Sequence, residues 1–139
     1  MTKEELLADF REVVHSTFAA IRQDFGFEIC REDVHPPNMW IGLKNAAGVE
    51  LTIDFEWGGS VAIIAEKRRR FGRSERHDVV PLLEARTGMS FPQDRGDGNY
   101  EHDRVQAALA SLATALEAHA QDVLRGDFSG FHRIPRRAP

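Results

Sequence analysis

The chain's raw material for acid–base or metal chemistry is 6 histidines and 22 carboxylates. Their spacing does not assemble a site along the sequence. His77-Asp78 and Glu101-His102-Asp103 are local clusters, but adjacent residues do not face one another on a helix. No two histidines stand four apart, the spacing that presents two metal ligands on one helical face. His119 falls on the apolar stripe of the last helix. Such a histidine is ordinarily a hydrogen-bonded core residue; the alternative is a pH switch or a general base. Gly96-Asp97-Gly98 lacks the lysine that completes a phosphate loop, and no nucleophile elbow is present. Cys30 has no basic neighbour fixed beside it and reads as a half-buried strand residue, not a reactive thiolate. The sequence therefore carries no catalytic, cofactor or metal set, and a small enzyme stays an alternative only.

Two other constellations could bind. The first is acidic. Val49, Leu51, Ile53, Phe55 and Trp57 alternate with Glu50, Thr52, Asp54 and Glu56. That period of two gives one apolar and one acidic face. With Trp40 on the same side, Glu50, Asp54 and Glu56 make a tryptophan ringed by carboxylates, the composition of a contact surface for a basic partner. The second is basic. Lys67, Arg68, Arg69, Arg70, Arg73 and Arg76 crowd one segment around Phe71. Arg68, Arg69, Arg70 and Arg73 could grip phosphates while Phe71 stacks on a base. No helix-turn-helix, zinc-finger spacing or RNA-binding sheet signature accompanies them.

The elements that must position these residues follow from periodicity. Thr2 caps a helix that runs to about Phe25, with Glu5 in a capping-box position and Gly26 as the stop. Leu6, Phe10, Val13, Val14, Thr17, Ile21 and Phe25 form its stripe. Phe27 to Arg31 is a short strand, and Pro36-Pro37 sits in a loop from Glu32 to Asn38. Met39 to Lys44 is the second strand, and Asn45 to Gly48 is a turn. Val49 to Lys67 is a hairpin around Gly58-Gly59. A two-residue loop would set Ala62 and Ile64 beside Ile53 and Phe55; a three-residue loop would set Val61 and Ile63 there. Ser74 to Thr87 contains a short helix with Pro81 in its first turn and Gly88 after its end. Gly88 to Tyr100 is a surface loop. A long helix from Tyr100 to Leu124 carries Val105, Leu109, Leu112, Leu116, His119 and Val123. The expected fold is α+β: a four-stranded antiparallel meander flanked by a long N-terminal helix and by one short and one long C-terminal helix. Residues 1–126 form one domain. Residues 127–139 form a partly disordered tail in which Phe128 and Phe131 could dock.

At 139 residues, with 42% hydrophobic and 29% charged, the chain suits one globular domain. A net charge of −4 disfavours binding nucleic acid over the whole surface. There is no apolar run of membrane-spanning length and no leader pattern, and the single cysteine fits a reducing compartment, so a cytoplasmic location is expected.

The stretches FAAIRQDFGFEI, GVELTIDFEWGGSVAIIAEK and EAHAQDVLRGDFSGF, in that order, resemble small bacterial immunity-type proteins of polymorphic and contact-dependent toxin systems. The resemblance spans most of the chain. It implies a non-enzymatic protein-binding module that neutralises a toxin domain. The expected partner is basic, with Trp40, Glu50, Asp54 and Glu56 as contacts, no cofactor, and a monomer or weak dimer. A nucleic-acid-associated protein using the 67–76 segment is the alternative.

Overall fold

The alternation of β-branched and aromatic residues with polar ones builds an antiparallel meander in the computed structural model, which describes residues 2–35, 38–56, 60–68, 71–91 and 100–134. Five strands lie in sequence order: β1 Glu28–His35, β2 Asn38–Lys44, β3 Val49–Phe55, β4 Val61–Lys67 and β5 Glu75–Asp78. The helices are α1 Lys3–Thr17, α2 Ala19–Phe25, α3 Val80–Thr87, α4 His102–His119 and α5 Gln121–Leu124, followed by a 3-10 turn over Ser129–Arg133.

The α+β class and the antiparallel sheet match expectation, but the sheet has five strands, not four. The missed strand, β5, lies in the Ser74 to Thr87 segment, just ahead of the short helix that the sequence expects there. Glu-Arg-His-Asp has no apolar period to betray it; pairing with β4 makes it a strand, from Ile64 opposite Asp78 to Lys67 opposite Glu75. The helix proper begins at Val80, with Pro81 in its first turn and Gly88 (φ 69) as its left-handed cap. β1 is also longer than expected. It runs on through Glu32–His35, which read as loop, because a bulge at Cys30 resets its pairing with β2.

The hairpin register takes the second of the two options. Ile53 pairs with Ile63 and Phe55 with Val61, and Glu56 N donates to Ser60 O at 2.9 Å. Trp57, Gly58 and Gly59 lie outside the described residues, as do Pro36, Pro37, Arg69, Arg70, residues 92–99 of the expected surface loop, and residues 135–139 of the tail. This register aligns three inner rows: Met39/Phe55/Val61, Ile41/Ile53/Ile63 and Leu43/Leu51/Ala65. All nine residues are buried, and they join Phe10, Val14, Leu83, Leu109 and Leu116 in one core. The helices thus bury a single face of the sheet.

Both long helices are broken once. Thr2 Oγ1 accepts from Glu5 N at 3.2 Å, as the cap predicts. At Phe18 the backbone departs from helix (φ −100, ψ 11) after Ser16 and Thr17 hydroxyls both donate to Val13 O. Such back-bonding competes with the helical ladder. At Ala120 (φ −134, ψ 34) the second break turns α5 inward, burying Val123 and Leu124. The stripe of α4 continues from Leu116 to the buried Ala120 at the i+4 position, so His119 is exposed, not a core residue.

Polar ties fix the layers. Asn45 is buried in the β2–β3 turn. Its Nδ2 donates to Phe25 O (3.2 Å) and Leu124 O (2.9 Å), and its Oδ1 accepts from Ala47 N (3.1 Å) and Val49 N (3.2 Å). One side chain thus closes the hairpin and satisfies the ends of α2 and α5. Arg11 grips Glu32 in a forked pair (2.6–3.0 Å) between α1 and β1. Arg86 grips Asp122 at 2.7 Å and donates to His119 O at 2.7 Å, joining α3 to the α4–α5 break. Asp9 accepts from the Tyr100 hydroxyl (2.6 Å) and pairs with His102 Nδ1 (2.8 Å), joining α1 to α4.

Two predictions follow from these ties. Asn45→Ala leaves Phe25 O and Leu124 O without a donor and removes the turn's acceptor; a loss of about 2–4 kcal/mol is expected, read as a lower urea midpoint at unchanged m-value. The second concerns Asp9 and His102. Burial pushes the Asp9 carboxyl up, but the hydrogen bonds from Tyr100 and His102 outweigh it and hold it below the usual range. The same carboxylate, through its hydrogen bond, raises His102. Stability from the lowered Asp9 is present above about pH 4 and is lost as pH falls through its folded value. Stability from the raised His102 is complete below about pH 6.5 and is lost as pH rises through its folded value. Asp9→Asn is therefore expected to lower the urea midpoint most between about pH 4 and pH 6.5.

Candidate binding surface

The pleat that buries the inner rows presents a second set of rows on the opposite face. Cross-strand partners there are Asp33, Trp40, Asp54 and Ala62; then Arg31, Gly42, Thr52, Ile64 and Asp78; then Glu28, Lys44, Glu50, Glu66 and Arg76. Glu56, just past the end of β3, continues the same parity. Seven carboxylates (Glu28, Asp33, Glu50, Asp54, Glu56, Glu66, Asp78) therefore meet three cations (Arg31, Lys44, Arg76) on this face. Apart from Gly42 and Thr52, all of these residues are partly or fully exposed. Trp40, Ala62 and Ile64 are not among the side chains that form or pack on the core.

Trp40 and Asp54, which the sequence places on one face by parity, are direct cross-strand neighbours. The Trp40 ring stacks on His35, with centroids 5.3 Å apart and planes at 24°. Asp54 is half-buried and has no hydrogen-bond donor among the described residues. Its carboxyl is pushed up to about 6, first by burial and then by the Glu56 charge, against the pull of Arg76 and Arg31. Glu56 is exposed. Glu50, grouped with these residues by sequence, is drawn elsewhere. Arg31 Nε lies 3.2 Å from Glu50 Oε1, passing over Gly42. A Cβ at Gly42 would stand 3.0 Å from Glu50 Oε1 and 3.2 Å from Arg31 Cγ, so this glycine makes room for the ion pair.

Cys30 is exposed, not half-buried. Its Sγ donates to Gly42 O at 3.4 Å and to Glu50 Oε1 at 3.7 Å. Burial of the sulfur and the Glu50 charge push the thiol up despite Arg31 next door. A thiol held protonated is a poor nucleophile.

Asp33 and His35 belong to this surface although the sequence reads them as loop, and so do Arg76 and Asp78 of β5. The signal was weak because edge strands carry charges at consecutive positions and lack apolar alternation. In the basic segment, Arg68 and Arg73 are exposed, Phe71 is 85% exposed, and Arg69 and Arg70 are outside the described residues. Arg76, by contrast, lies on the acidic face and lowers its charge.

This surface is an acid-rich face with an aromatic ring beside its half-buried carboxylate. Asp54 also imposes a measurable cost on the fold. Because its folded value lies above the ordinary 3.8, the native state binds more protons than the unfolded one between about pH 4 and pH 6, so stability falls across that window. Asp54→Asn is expected to stabilise the protein by about 1–2 kcal/mol at pH 8, after allowance for partial solvent screening, and to leave it unchanged near pH 3.5. Chemical denaturation at the two pH values measures this. No family model, curated protein or solved structure matches the chain.

Proposed function

We propose that the chain is a non-enzymatic protein-binding module of the immunity type, which masks a basic toxin domain with the outer face of its sheet. The observation that carries this reading is the Trp40–Asp54 pair: an aromatic ring beside a half-buried carboxylate without a hydrogen-bond donor among the described residues, on a face rich in acid. A residue that weakens its own fold at neutral pH is a candidate for a role in binding. A lysine or arginine from a partner would neutralise Asp54 and relieve its repulsion with Glu56, while the Trp40 ring supplies apolar contact. The surrounding carboxylates would steer a cationic partner and make association salt-sensitive. Nuclease toxins fit, because an active site that holds phosphate is itself basic. Glu50 contributes less in this reading, since Arg31 already balances it.

A second reading has one observation in its favour. Phe71 is 85% exposed in the same segment as Arg68, Arg69, Arg70 and Arg73, as a stacking residue in a phosphate-binding segment would be. It predicts affinity for single-stranded nucleic acid that falls steeply with salt.

The discriminating experiment is affinity purification of the tagged chain from its native cells at low and then moderate salt, with wild type beside Trp40→Ala and Asp54→Arg/Glu56→Arg. One stoichiometric basic protein should stay with wild type and be lost from both variants. The purified partner's toxic activity should be blocked by wild type alone, with affinity rising through about pH 6 as Asp54 ionises. A partner retained equally by the variants, or nucleic acid that washes off with salt, overturns this reading.

A further inference from the structure

Away from the acidic plate, the opposite face of β5 brings together three side chains that the sequence keeps far apart. We infer that Glu75, His77 and His132 form a binding site for a divalent transition-metal ion of the zinc class. Glu75 and His77 are alternate residues of β5, and alternate residues of a strand point to the same side. His132 arrives from the 3-10 turn, 57 residues further along the chain from Glu75. Both imidazoles present Nε2 to the same carboxylate oxygen, Glu75 Oε1: His77 from 2.9 Å and His132 in direct contact. The three ligand atoms lie within 4.8 Å of one another.

The surroundings hold the ligands in place. The His77 ring lies flat on Phe131, with centroids 4.2 Å apart and planes at 10°, and Phe128 meets it edge-on at 6.3 Å. Both phenylalanines are buried. The Glu75 side chain is only 14% exposed and His132 is 57% exposed, so the third ligand lies toward solvent. Lys67, which faces Glu75 across the β4–β5 ladder, turns its ammonium to Gly126 O.

Two imidazoles and one carboxylate suit zinc and its neighbours, whereas magnesium and calcium prefer all-oxygen sets. Zinc at about 2.0–2.1 Å from each ligand needs ligand atoms roughly 3.3 Å apart, so both imidazoles would draw back slightly from Glu75 Oε1 to admit the ion between the three ligand atoms, which already lie within 4.8 Å of one another. A fourth, solvent-side position would remain for water, as in open zinc sites. The ion would fasten the C-terminal turn to the edge strand.

The test uses the full chain, stripped with chelator and then titrated with zinc chloride or magnesium chloride. Zinc is expected to bind one per chain and to raise Tm, with magnesium doing neither. His132→Ala, an exposed position, should fold normally and lose zinc affinity at least about tenfold, while His119→Ala, exposed and outside the cluster, should bind as wild type. X-ray absorption on the wild-type zinc complex should show two imidazoles and a carboxylate. Failure of wild type to bind one equivalent, equal affinity in His132→Ala, or a zinc shell without two imidazoles overturns the inference.

Discussion

The register of β2, β3 and β4 is the constraint on which the rest of the structure depends. It stacks Met39, Phe55 and Val61, then Ile41, Ile53 and Ile63, then Leu43, Leu51 and Ala65, into a continuous apolar face. A slip of one residue in β3 would send Leu51, Ile53 and Phe55 to the acidic side and bring Glu50, Asp54 and Glu56 under the helices. Burying three unpaired carboxylates there would carry a large desolvation penalty, whether they stay charged or are forced to protonate, against a stability that in folded domains is marginal. Asn45 reinforces the register from the turn, because its amide reaches the carbonyl ends of α2 and α5 only when that turn is closed.

With the helices committed to one face, the other is left to interactions in the plane of the sheet. Arg31 lies across Gly42 to meet Glu50, and Trp40 stacks on His35. Asp54 has no such arrangement and is raised by burial beside Glu56. The face is thus uneven: Glu50 has a cation partner, whereas Asp54 and Glu56 keep excess negative charge next to an aromatic ring. That unevenness is the physical basis of the binding role proposed for this face.

The far edge of the sheet follows a different logic. β5 has only four residues, and its inner side is closed by Phe128 and Phe131 after the chain has left α5. The segment beyond Gly126 is therefore part of the core as far as Phe131, and through His132 it reaches Glu75 and His77. The two surfaces sit on opposite faces of one sheet, so a ligand at either need not compete with the other.

Much of this was legible in the sequence wherever a periodic pattern met a local cap. The helical stripe from Leu6 to Ile21, the Thr2 cap, the glycine stops at Gly26 and Gly88, the turn at Asn45 and the two-faced strand Val49–Phe55 are all set by nearest neighbours and side-chain period. Trp40 and Asp54 shared a face by parity alone. What only the tertiary structure decided depends on partners distant in sequence. β5 is a strand because β4 offers it a ladder. Glu32–His35 extends β1 because Arg11 and β2 hold it. His119 is exposed because the break at Ala120 lets the stripe end on alanine. The hairpin register is chosen by which side chains meet the core, and Glu75, His77 and His132 converge because the C-terminal turn folds back onto an edge. Charged edge strands and long-range side-chain clusters have no period along the chain, and only packing places them.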